Sequence, residues 1–280
     1  MLLFYQSTIN SLTMEKVDVV ISNYSQTKKL CDCLLALHAY CPNVGQVIVC
    51  NDFGPEKTRD YLRSEIDGHL ALCSISDKNE GFAANVNRGL RMTTSRIVLS
   101  LNDDTYCDRD FLSPAVESLQ NDSVGIVGAL TLYPSGLVEH AGITHNTNDP
   151  LYFDNLFRIS KPDTQAILTA RSTFAVTGAC MFIRAELFDK IGYFDEKFRL
   201  GFDDVDYCLS AKLAGYDVVY DPAVRLYHYG GSTRGTKAAS SAELESMRHF
   251  WEKRYHTLCE QGGILEATVP IPTTWDLKKE

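Results

Sequence analysis

The sequence has no apolar run that approaches the roughly 18–20 residues required by a membrane-spanning helix. It also has no excess of basic residues, since 27 Lys and Arg stand against 36 Asp and Glu and give a net charge of −9. Such an acidic chain is a poor candidate for sequence-independent binding of nucleic acid, which depends on basic surface. Repeats, low-complexity segments and linkers are absent as well. What remains is 280 residues, 45% hydrophobic and 22% charged, the composition of a folded globular protein.

The cysteines argue against a disulfide framework. Their number is odd, nine, and several lie inside apolar runs such as "VIVC" and "GACMF". Cys31 and Cys33 are the one close pair, and their spacing fits neither a zinc nor a thioredoxin motif. Buried free thiols are typical of a reducing compartment, so we expect a cytoplasmic protein. Residues 1–16 lack the basic start and the full apolar core of a secretion signal, and we expect a disordered leader, with Met14 as an alternative start.

The first half of the chain alternates short apolar strands with helical patterns. Four strands are predicted: "VDVVIS" (17–22), "QVIVCN" (46–51), "LALCSIS" (70–76) and "RIVLSL" (96–101). The segments between them are helical, and one of them places Leu30, Leu34 and Leu37 on one face. This alternation predicts crossover connections and a mainly parallel sheet, and continuous apolar strands indicate a sheet covered on both faces by helices.

The second half is less regular. "VGIVGAL" from residue 124 is another strand, 133–171 is polar and loop-rich, and strands return with "FAVTGACMFIR" and "YDVVYDPAVRLYHY" around a helix at about 203–214. A last helix, 238–258, places apolar side chains on one stripe: Leu244, Met247, Trp251, Tyr255 and Leu258. We predict one α/β domain over 17–260, with a nucleotide-binding half at 17–130, a half at 131–260 that completes the cleft, and an irregular tail at 261–280.

The segment "LNDDT" places an amide and two carboxylates, Asn102, Asp103 and Asp104, directly after the strand 96–101. In open parallel sheets, ligands bind at the carboxyl ends of the strands. Mg²⁺ and Mn²⁺ prefer oxygen ligands, and Mg²⁺ takes one or two protein carboxylates together with water and phosphate. The pair therefore predicts half of a metal–diphosphate site. The alternative is a solvated turn, where Asn and Asp are common.

A second acidic cluster, Asp203, Asp204 and Asp206, opens the helix at 203–214. Asp203 is suited to cap that helix, but capping does not require three acids in one turn, which repel one another unless a cation or a proton is near. A carboxylate at such a turn can act as a general base. His228 then ends a strand before a glycine-rich turn that carries Arg234. His228 is a candidate metal ligand or a packed core histidine, and Arg234 a candidate phosphate contact or an exposed loop residue.

Taken in this order, these stretches resemble the inverting family 2 glycosyltransferases of the GT-A fold, of the rhamnosyltransferase- or galactosyltransferase-like type that builds bacterial surface glycans. The resemblance runs from about Val17 to Gly235. It rests on "SNY", "VIVCND", "NEGFAANVNRGL", "LNDDT", "TGACMFIR" with "IGYFDEKF", and "GFDDVDYCLSAKLAGYDVVYDPAVRLYH". It implies an α/β fold with a single Rossmann-like, mainly parallel central sheet flanked by helices and a smaller acceptor-side region.

The resemblance also implies roles for individual residues. Asp104 and His228, with Asp103, would hold Mg²⁺ or Mn²⁺, Asp204 would be the general base, and Asp203 its neighbour. Gly178 and Ala179 would lie on the acceptor side. The nucleotide would be contacted by Ser22, Asn23, Tyr24, Asn51, Asp52, Asn79, Gly81, Asn87, Asn102, Asp103 and Arg234. The donor would be a UDP- or dTDP-sugar and the acceptor a glycan or lipid-linked glycan, with peripheral membrane association and no nucleic-acid partner.

Two departures leave alternatives open. The family usually carries Glu-Asp where this chain has Asp203-Asp204, so either residue could be the base. The family often has an acid where Asn51 stands, so recognition of the base of the nucleotide could fall to Asp52 alone. The glycines of "NEGFAANVNRGL", Gly81 and Gly89, would allow close approach to the nucleotide or serve turn and helix packing.

Three other functions are alternatives to this assignment. A nucleotidyltransferase would be expected to carry a glycine-rich, basic phosphate loop at its first strand, and "SNYSQTKK" has no glycine. A non-catalytic sugar-binding protein on the same fold is the second alternative. Glu139, His140 and His145 lack the H-E-x-x-H spacing of a metallohydrolase, so we interpret them as loop residues near the cleft. Trp251 and Tyr255 could stack on a sugar, but their helical spacing favours packing.

Overall fold

The computed structural model describes residues 15–146, 151–230 and 240–260. The strands of these residues, in chain order, are β1 Val17–Asn23, β2 Val44–Asn51, β3 Leu72–Ile75, β4 Ile97–Asn102, β5 Thr105–Tyr106, β6 Val124–Leu132, β7 Val138–His140, β8 Ile143–His145, β9 Phe153–Asn155, β10 Arg171–Ser172, β11 Cys180–Arg184 and β12 Asp217–His228. The helices are α1 Thr27–Tyr40, α2 Glu56–Tyr61 with a π-helical continuation at Leu62–Ile66, α3 Phe82–Leu90, α4 Leu112–Ser118, α5 Glu186–Ile191, α6 Asp203–Leu213 and α7 Ser241–Glu260.

A central sheet organises the fold, with the principal order β10-β12-β6-β11-β4-β1-β2-β3. β1 is parallel to β2 and β4, β2 to β3, and β12 to β6. β11 runs antiparallel between β4 and β6, the short β5 and β7 pair with β12 and β6, and β8 and β9 form a separate hairpin. The predicted α/β class, with a mainly parallel sheet flanked by helices, is confirmed.

Helices cover both faces of the sheet, as the apolar strands predicted. Along β1, Val19 and Ile21 contribute to the core cluster under α1 and α4, while Val20 contributes to the opposite cluster under α3, α6 and α7. On α7, the predicted stripe packs into this second cluster, and Trp251 is buried there. Its indole N–H donates to the carbonyl of Leu151 at 3.0 Å. Trp251 is therefore a packing residue.

The main strands end together at one edge. Asn23 at the end of β1 pairs in register with Asn51 of β2, and Asn102 of β4 pairs with Ser22. His228 closes β12 beside Thr105. Because parallel strands point the same way, their polar ends form one surface next to the start of α6. The expected loop region 133–171 is more ordered than predicted, since it contains β7, β8 and β9.

Several predictions fall on residues outside the described ranges. These are Arg234, most of the expected leader and the expected tail. Within the described ranges, none of the helices combines the length and the apolar character needed to cross a membrane.

Candidate active site

A cleft of about 980 Å³ opens where the parallel strands end. Most of the predicted site residues line it. On one side lie Ser22, Asn23, Tyr24, Asp52, Asn79 and Gly81. At the ends of β4 and β12 lie Asn102, Asp103, Asp104 and His228. The opposite wall carries Gly178, Ala179, Asp203 and Asp204. The fold therefore brings both acidic clusters into one cavity.

The ends of β1 and β2 are joined by an amide network. Asn51 donates from its Nδ2 to Asn23 Oδ1 at 2.7 Å and to the carbonyl of Tyr24 at 3.1 Å, and its Oδ1 accepts from Gly54 N at 2.9 Å. Asn23 in turn donates to Asp103 Oδ2 at 2.6 Å. Asn51 is fully buried and both its N–H donors are used. This side chain supports Asn23 and is not among those that line the cleft, and its nucleotide contact stays a prediction.

Asp52 faces the cleft while organising the next loop. Its two carboxylate oxygens accept from Glu80 N at 2.7 Å and Gly81 N at 3.0 Å, and its carbonyl accepts from the Asn79 side chain at 3.3 Å. Burial raises the pKa of Asp52, although these backbone hydrogen bonds oppose the change. Gly81 has φ +92°, and a Cβ there would lie 2.9 Å from the Cα of Arg199. The close approach that a glycine allows at position 81 is therefore to the backbone of Arg199.

Helix α3 carries the second half of the resemblance motif, and only part of it reaches the cleft, so the nucleotide contact of Asn87 stays a prediction. Asn87 donates to the carbonyl of Phe194 at 2.8 Å and to Glu196 Oε1 at 3.0 Å, so it ties α3 to a distant loop and does not line the cleft. A Cβ on Gly89 would lie 2.5 Å from a Val20 methyl, so this glycine allows helix–sheet packing. The amide of α3 that lines the cleft is Asn85, which donates to Ser22 Oγ at 3.2 Å.

Asp104 and His228 meet at the ends of β4 and β12, with His228 Nε2 3.1 Å from Asp104 Oδ1. Burial, together with the charge of Asp104, raises the pKa of Asp103 to about 7. Burial acts to lower the pKa of His228, but the carboxylates of Asp104 and Glu139 raise it to about 9. The cluster is therefore rich in acid, and the imidazole stands between carboxylates.

The sequence analysis placed Glu139 near the cleft, which it lines, but gave it no partner. Its Oε2 lies 3.4 Å from His228 Nδ1 and accepts a hydrogen bond from the Thr131 hydroxyl. The predicted loop position is wrong, because Glu139 belongs to β7, which folds back on the end of β6. A signal was present, since "YPSG" after an apolar strand is typical of a tight turn and hence of a hairpin.

The two histidines near Glu139 pack within the protein. His140 is fully buried, its Nδ1 lies 3.0 Å from the carbonyl of Ala129, and its Nε2 accepts from the N–H groups of Gly142 and Thr177 at 3.2 Å. Burial lowers the pKa of His140 to about 4. The ring of His145 lies against Trp251, with the centroids 6.3 Å apart.

The Asp104–His228 pair fits a divalent cation of the Mg²⁺ or Mn²⁺ type. Adjacent ligands held at about 2.1 Å from one octahedral ion lie about 3 Å apart, close to the spacing of Asp104 Oδ1 and His228 Nε2. The described residues contain no group of three or more His, Cys, Asp or Glu side chains arranged to hold a metal by themselves. Further ligands would therefore be water and phosphate oxygens, as Mg²⁺ usually requires.

The opposite wall is built at the start of α6. Phe202, with φ +67°, takes the N-cap position and no side chain caps the helix, so the predicted cap by Asp203 is wrong. Asp204 Oδ2 accepts from Gly178 N at 3.0 Å, which fixes the carboxylate against the loop before β11. Asp203 is more deeply buried beside it.

Asp206 has a structural role. Its carboxylate accepts from Arg254 Nε at 2.6 Å and from Lys253 Nζ at 3.0 Å, so α7 supplies the cations that three adjacent acids require.

The cleft itself has few cations. Eight carboxylates but only two guanidinium groups, Arg158 and Arg199, line it among the described residues. Arg158 donates from its Nε to the Tyr133 hydroxyl at 2.9 Å.

These features define an acid-rich cleft at the strand ends of an α/β sheet, and comparison with known proteins identifies the family. Residues 15–251 match the model described as "Glycosyltransferase like family 2", and the chain belongs to this family. The predicted enzyme class, glycosyltransferase, is confirmed at the level of the family.

Two curated relatives match only part of their own length. O-antigen biosynthesis protein RfbC of Myxococcus xanthus is 30% identical over 221 residues, which cover 77% of this chain and 17% of that protein. Uncharacterized protein y4gI of Sinorhizobium fredii is 32% identical over 184 residues, 61% of this chain and 20% of that protein. The chain thus spans a fifth or less of the length of these relatives.

Solved structures share the fold. Mannosyltransferase PcManGT from Pyrobaculum calidifontis, in complex with GDP-Man and Mn²⁺, superposes with a TM-score of 0.59 and 21% identity, covering 79% of this chain and 58% of that one. GalNAc-T7 with UDP, GalNAc and Mn²⁺ superposes with a TM-score of 0.68 and 14% identity, covering 86% of this chain and 48% of that one. At these identities the likeness shows the fold alone.

Proposed function

We propose that this chain is a metal-dependent, inverting glycosyltransferase that moves a sugar from a nucleoside diphosphate donor to an acceptor hydroxyl. One observation carries the proposal: the Asp104–His228 pair and the Asp204 carboxylate line the same cleft from separate walls. The family membership supports it, as do solved neighbours that hold Mn²⁺ together with GDP-Man or UDP.

Asp104 and His228 would hold Mg²⁺ or Mn²⁺, with Asp103 beside them. When bound, the ion neutralises the negative charge that develops on the diphosphate as the sugar leaves. Asn23 orients Asp103 through its 2.6 Å hydrogen bond, and Asn102 Nδ2 lies 3.5 Å from His228 Nε2. The Asn23 amide therefore holds the Asp103 carboxylate in place before the donor arrives.

Asp204 would act from the other wall as the general base. It would accept the proton of the acceptor hydroxyl as that oxygen attacks the anomeric carbon. Attack opposite the leaving diphosphate inverts the anomeric centre, by the same geometric logic as inverting glycoside hydrolysis. The Gly178 N–H aims the Asp204 carboxylate. Asp203 lies deeper, and so Asp204 is the better placed of the two.

The remaining assignments follow the resemblance. The donor would be a UDP- or dTDP-sugar and the acceptor a glycan or lipid-linked glycan of a cell-surface polysaccharide. Residues 17–130 would bind the nucleotide and 131–260 the acceptor, although His228 from the second half completes the cation pair with Asp104. The protein would work in the cytoplasm at the inner face of the membrane through peripheral association.

A thermal-shift panel tests this proposal. UDP-, dTDP- and GDP-sugars are each added with Mn²⁺ and with EDTA, and product formation is followed with the best donor. A ligand at a hundred times its dissociation constant adds about 2.7 kcal/mol to the free energy of unfolding. For a domain of this size, that raises the melting temperature by on the order of 2–4 °C per kcal/mol.

The expected result is a large shift with one class of donor, only when Mn²⁺ is present. No shift with any donor would overturn the proposal. Consumption of a nucleoside triphosphate would instead indicate a nucleotidyltransferase. Donor binding with neither sugar transfer nor donor hydrolysis in Mn²⁺ would indicate a sugar-binding protein.

A further inference from the structure

We propose that Glu139 is a positioning residue for His228, and that it holds the imidazole so that Nε2 faces Asp104 and the divalent cation. This inference rests on the proposed function, because it assigns a task to a residue beside the proposed cation ligands. Neither the strand-end motif nor the acidic cluster of α6 contains Glu139.

The two ring nitrogens of His228 face different carboxylates. Nε2 lies 3.1 Å from Asp104 Oδ1, and Nδ1 lies 3.4 Å from Glu139 Oε2. A neutral imidazole carries a proton on one nitrogen and a lone pair on the other, and only the lone pair binds a cation. The partner of the second nitrogen decides which tautomer forms. A carboxylate at Nδ1 favours Nδ1–H and leaves the Nε2 lone pair for the ion.

The backbone aims Glu139 at this position. β7 pairs with β6 through Thr131 with His140 and Leu132 with Val138, so Glu139 is the extra residue of a bulge. Without a bulge, residues alternate between the faces of a strand. A bulge re-aims one side chain, and bulges are common beside active sites.

The side chain of Glu139 is also held in place by a hydrogen bond. The Thr131 hydroxyl donates to Glu139 Oε2, the oxygen that faces His228. Glu139 is only 8% exposed although it lines the cleft. Burying a carboxylate is costly unless it has partners, so this position is stable because Thr131 and His228 surround it. His228 Nδ1 is buried and makes no hydrogen bond within the usual geometric limits to the described residues, and the Glu139 carboxylate at 3.4 Å is the acceptor that a proton on Nδ1 would meet. Carboxylates placed in this way orient histidine ligands in metal proteins.

The test measures the affinity for Mn²⁺ alone, by the electron paramagnetic resonance signal of the free ion, in the 280-residue chain. The variants are Glu139→Ala, Glu139→Gln and Thr131→Val, with Asp154→Asn as the matched control. Asp154 also lines the cleft and carries the same charge, but it is exposed on β9. Glu139→Ala should weaken Mn²⁺ binding about 10–100-fold, as is usual for such partners.

The other variants should lose less Mn²⁺ affinity than Glu139→Ala. Glu139→Gln keeps an oxygen that can accept Nδ1–H but loses the charge, so its loss should be smaller than that of Glu139→Ala. Thr131→Val should lose a few-fold, and Asp154→Asn less than about twofold. Melting temperatures recorded without metal show that each protein is folded. A stability change alone would not reproduce this order of affinities.

The tautomer is read directly by long-range ¹H–¹⁵N spectra of His228 in the Mg²⁺-loaded protein. Nδ1–H with an unprotonated Nε2 is expected in the wild type, and a loss of this state in Glu139→Ala. An unprotonated Nδ1 in the wild type would overturn the inference, as would equal Mn²⁺ affinity of Glu139→Ala and the wild type. If Asp104→Ala weakens binding while Glu139→Ala does not, only this inference fails. If the wild type binds no Mn²⁺, the inference and the metal dependence of the proposed function fail together.

Discussion

Two acidic clusters in this chain look alike in sequence and differ in structure. Asp103 and Asp104 follow β4, whereas Asp203, Asp204 and Asp206 open α6. At the second cluster, Arg254 and Lys253 of α7 neutralise Asp206 with hydrogen bonds of 2.6 and 3.0 Å. At the first, burial and the neighbouring charge of Asp104 raise the pKa of Asp103 to about 7 despite the charges of Lys29 and His228.

The difference shows that the placement of cations, rather than the number of acids, separates carboxylates that are neutralised within the fold from those that are proposed to bind a ligand. Asp206 has its positive partners within the fold. The Asp103–Asp104 pair has one imidazole, itself shared with Glu139, and the charge of Lys29, and its remaining negative charge suits a divalent cation. Asp204 belongs to neither group, since its carboxylate is held by the Gly178 N–H and lines the cleft.

The largest expected effect separates Asp204 from its neighbours. Asp204→Asn keeps the hydrogen-bonding shape but removes the base, so the rate of sugar transfer should fall about 10²–10⁴-fold while nucleotide binding is retained. Initial rates and calorimetric titration with the nucleotide measure the two. Asp203→Asn is the control and should lose less. A larger loss in Asp203→Asn would exchange the two roles.

Asp206→Asn should instead lower the stability. Removing the charge leaves Arg254 without its buried carboxylate partner, whereas Lys253 keeps Asp195, and breaking such a buried pair costs about 3 kcal/mol of unfolding free energy. Urea denaturation measures this change. The control is Asp60→Asn, which breaks an exposed pair with Arg63 and should cost less than about 1 kcal/mol. An unchanged midpoint in Asp206→Asn would remove the contrast between the clusters.

Asp104→Ala should lower the affinity for the nucleotide in the presence of Mn²⁺. The loss of a direct cation ligand should weaken Mn²⁺-dependent nucleotide binding by about 100-fold, at the upper end of what second partners of metal ligands cost. Nucleotide binding in EDTA should not change, because that contact does not involve the ion. Calorimetric titrations with and without Mn²⁺ measure both. Equal affinities of wild type and Asp104→Ala in Mn²⁺ would place the ion elsewhere.

The smallest effect concerns acid stability near the second cluster. Burial opposes ionisation, but His249 and Lys253 hold the pKa of Asp195 well below its usual range. A depressed carboxylate pKa adds stability above the unfolded-state value of about 3.9, and this is lost as the pH falls below it. Asp195→Asn should therefore cost about 1 kcal/mol at pH 7 and progressively less below about pH 4. Urea midpoints at several pH values measure the difference, and a constant gap would contradict this assignment.

Much of the framework was predictable because it depends on local pattern. Apolar strands and amphipathic helices set the α/β class, and polar residues at strand ends marked the ligand edge. Asp103, Asp104, Asp204 and His228 lie in the cleft, as the order of their motifs indicated. Arg234 lies outside the described residues, and its phosphate contact stays a prediction.

The sequence by itself determined which segments form strands and helices and which polar residues stand at their ends, because neighbours along the chain set both. Only the tertiary structure decided which of those residues face the cleft. The side chains of Asn51 and Asn87 hydrogen-bond within the protein. Asp206 pairs with Arg254 of α7, and a bulge in β7 places Glu139 beside His228. Most of these contacts join residues far apart in the chain, and packing of whole elements, rather than local propensity, brings such partners together.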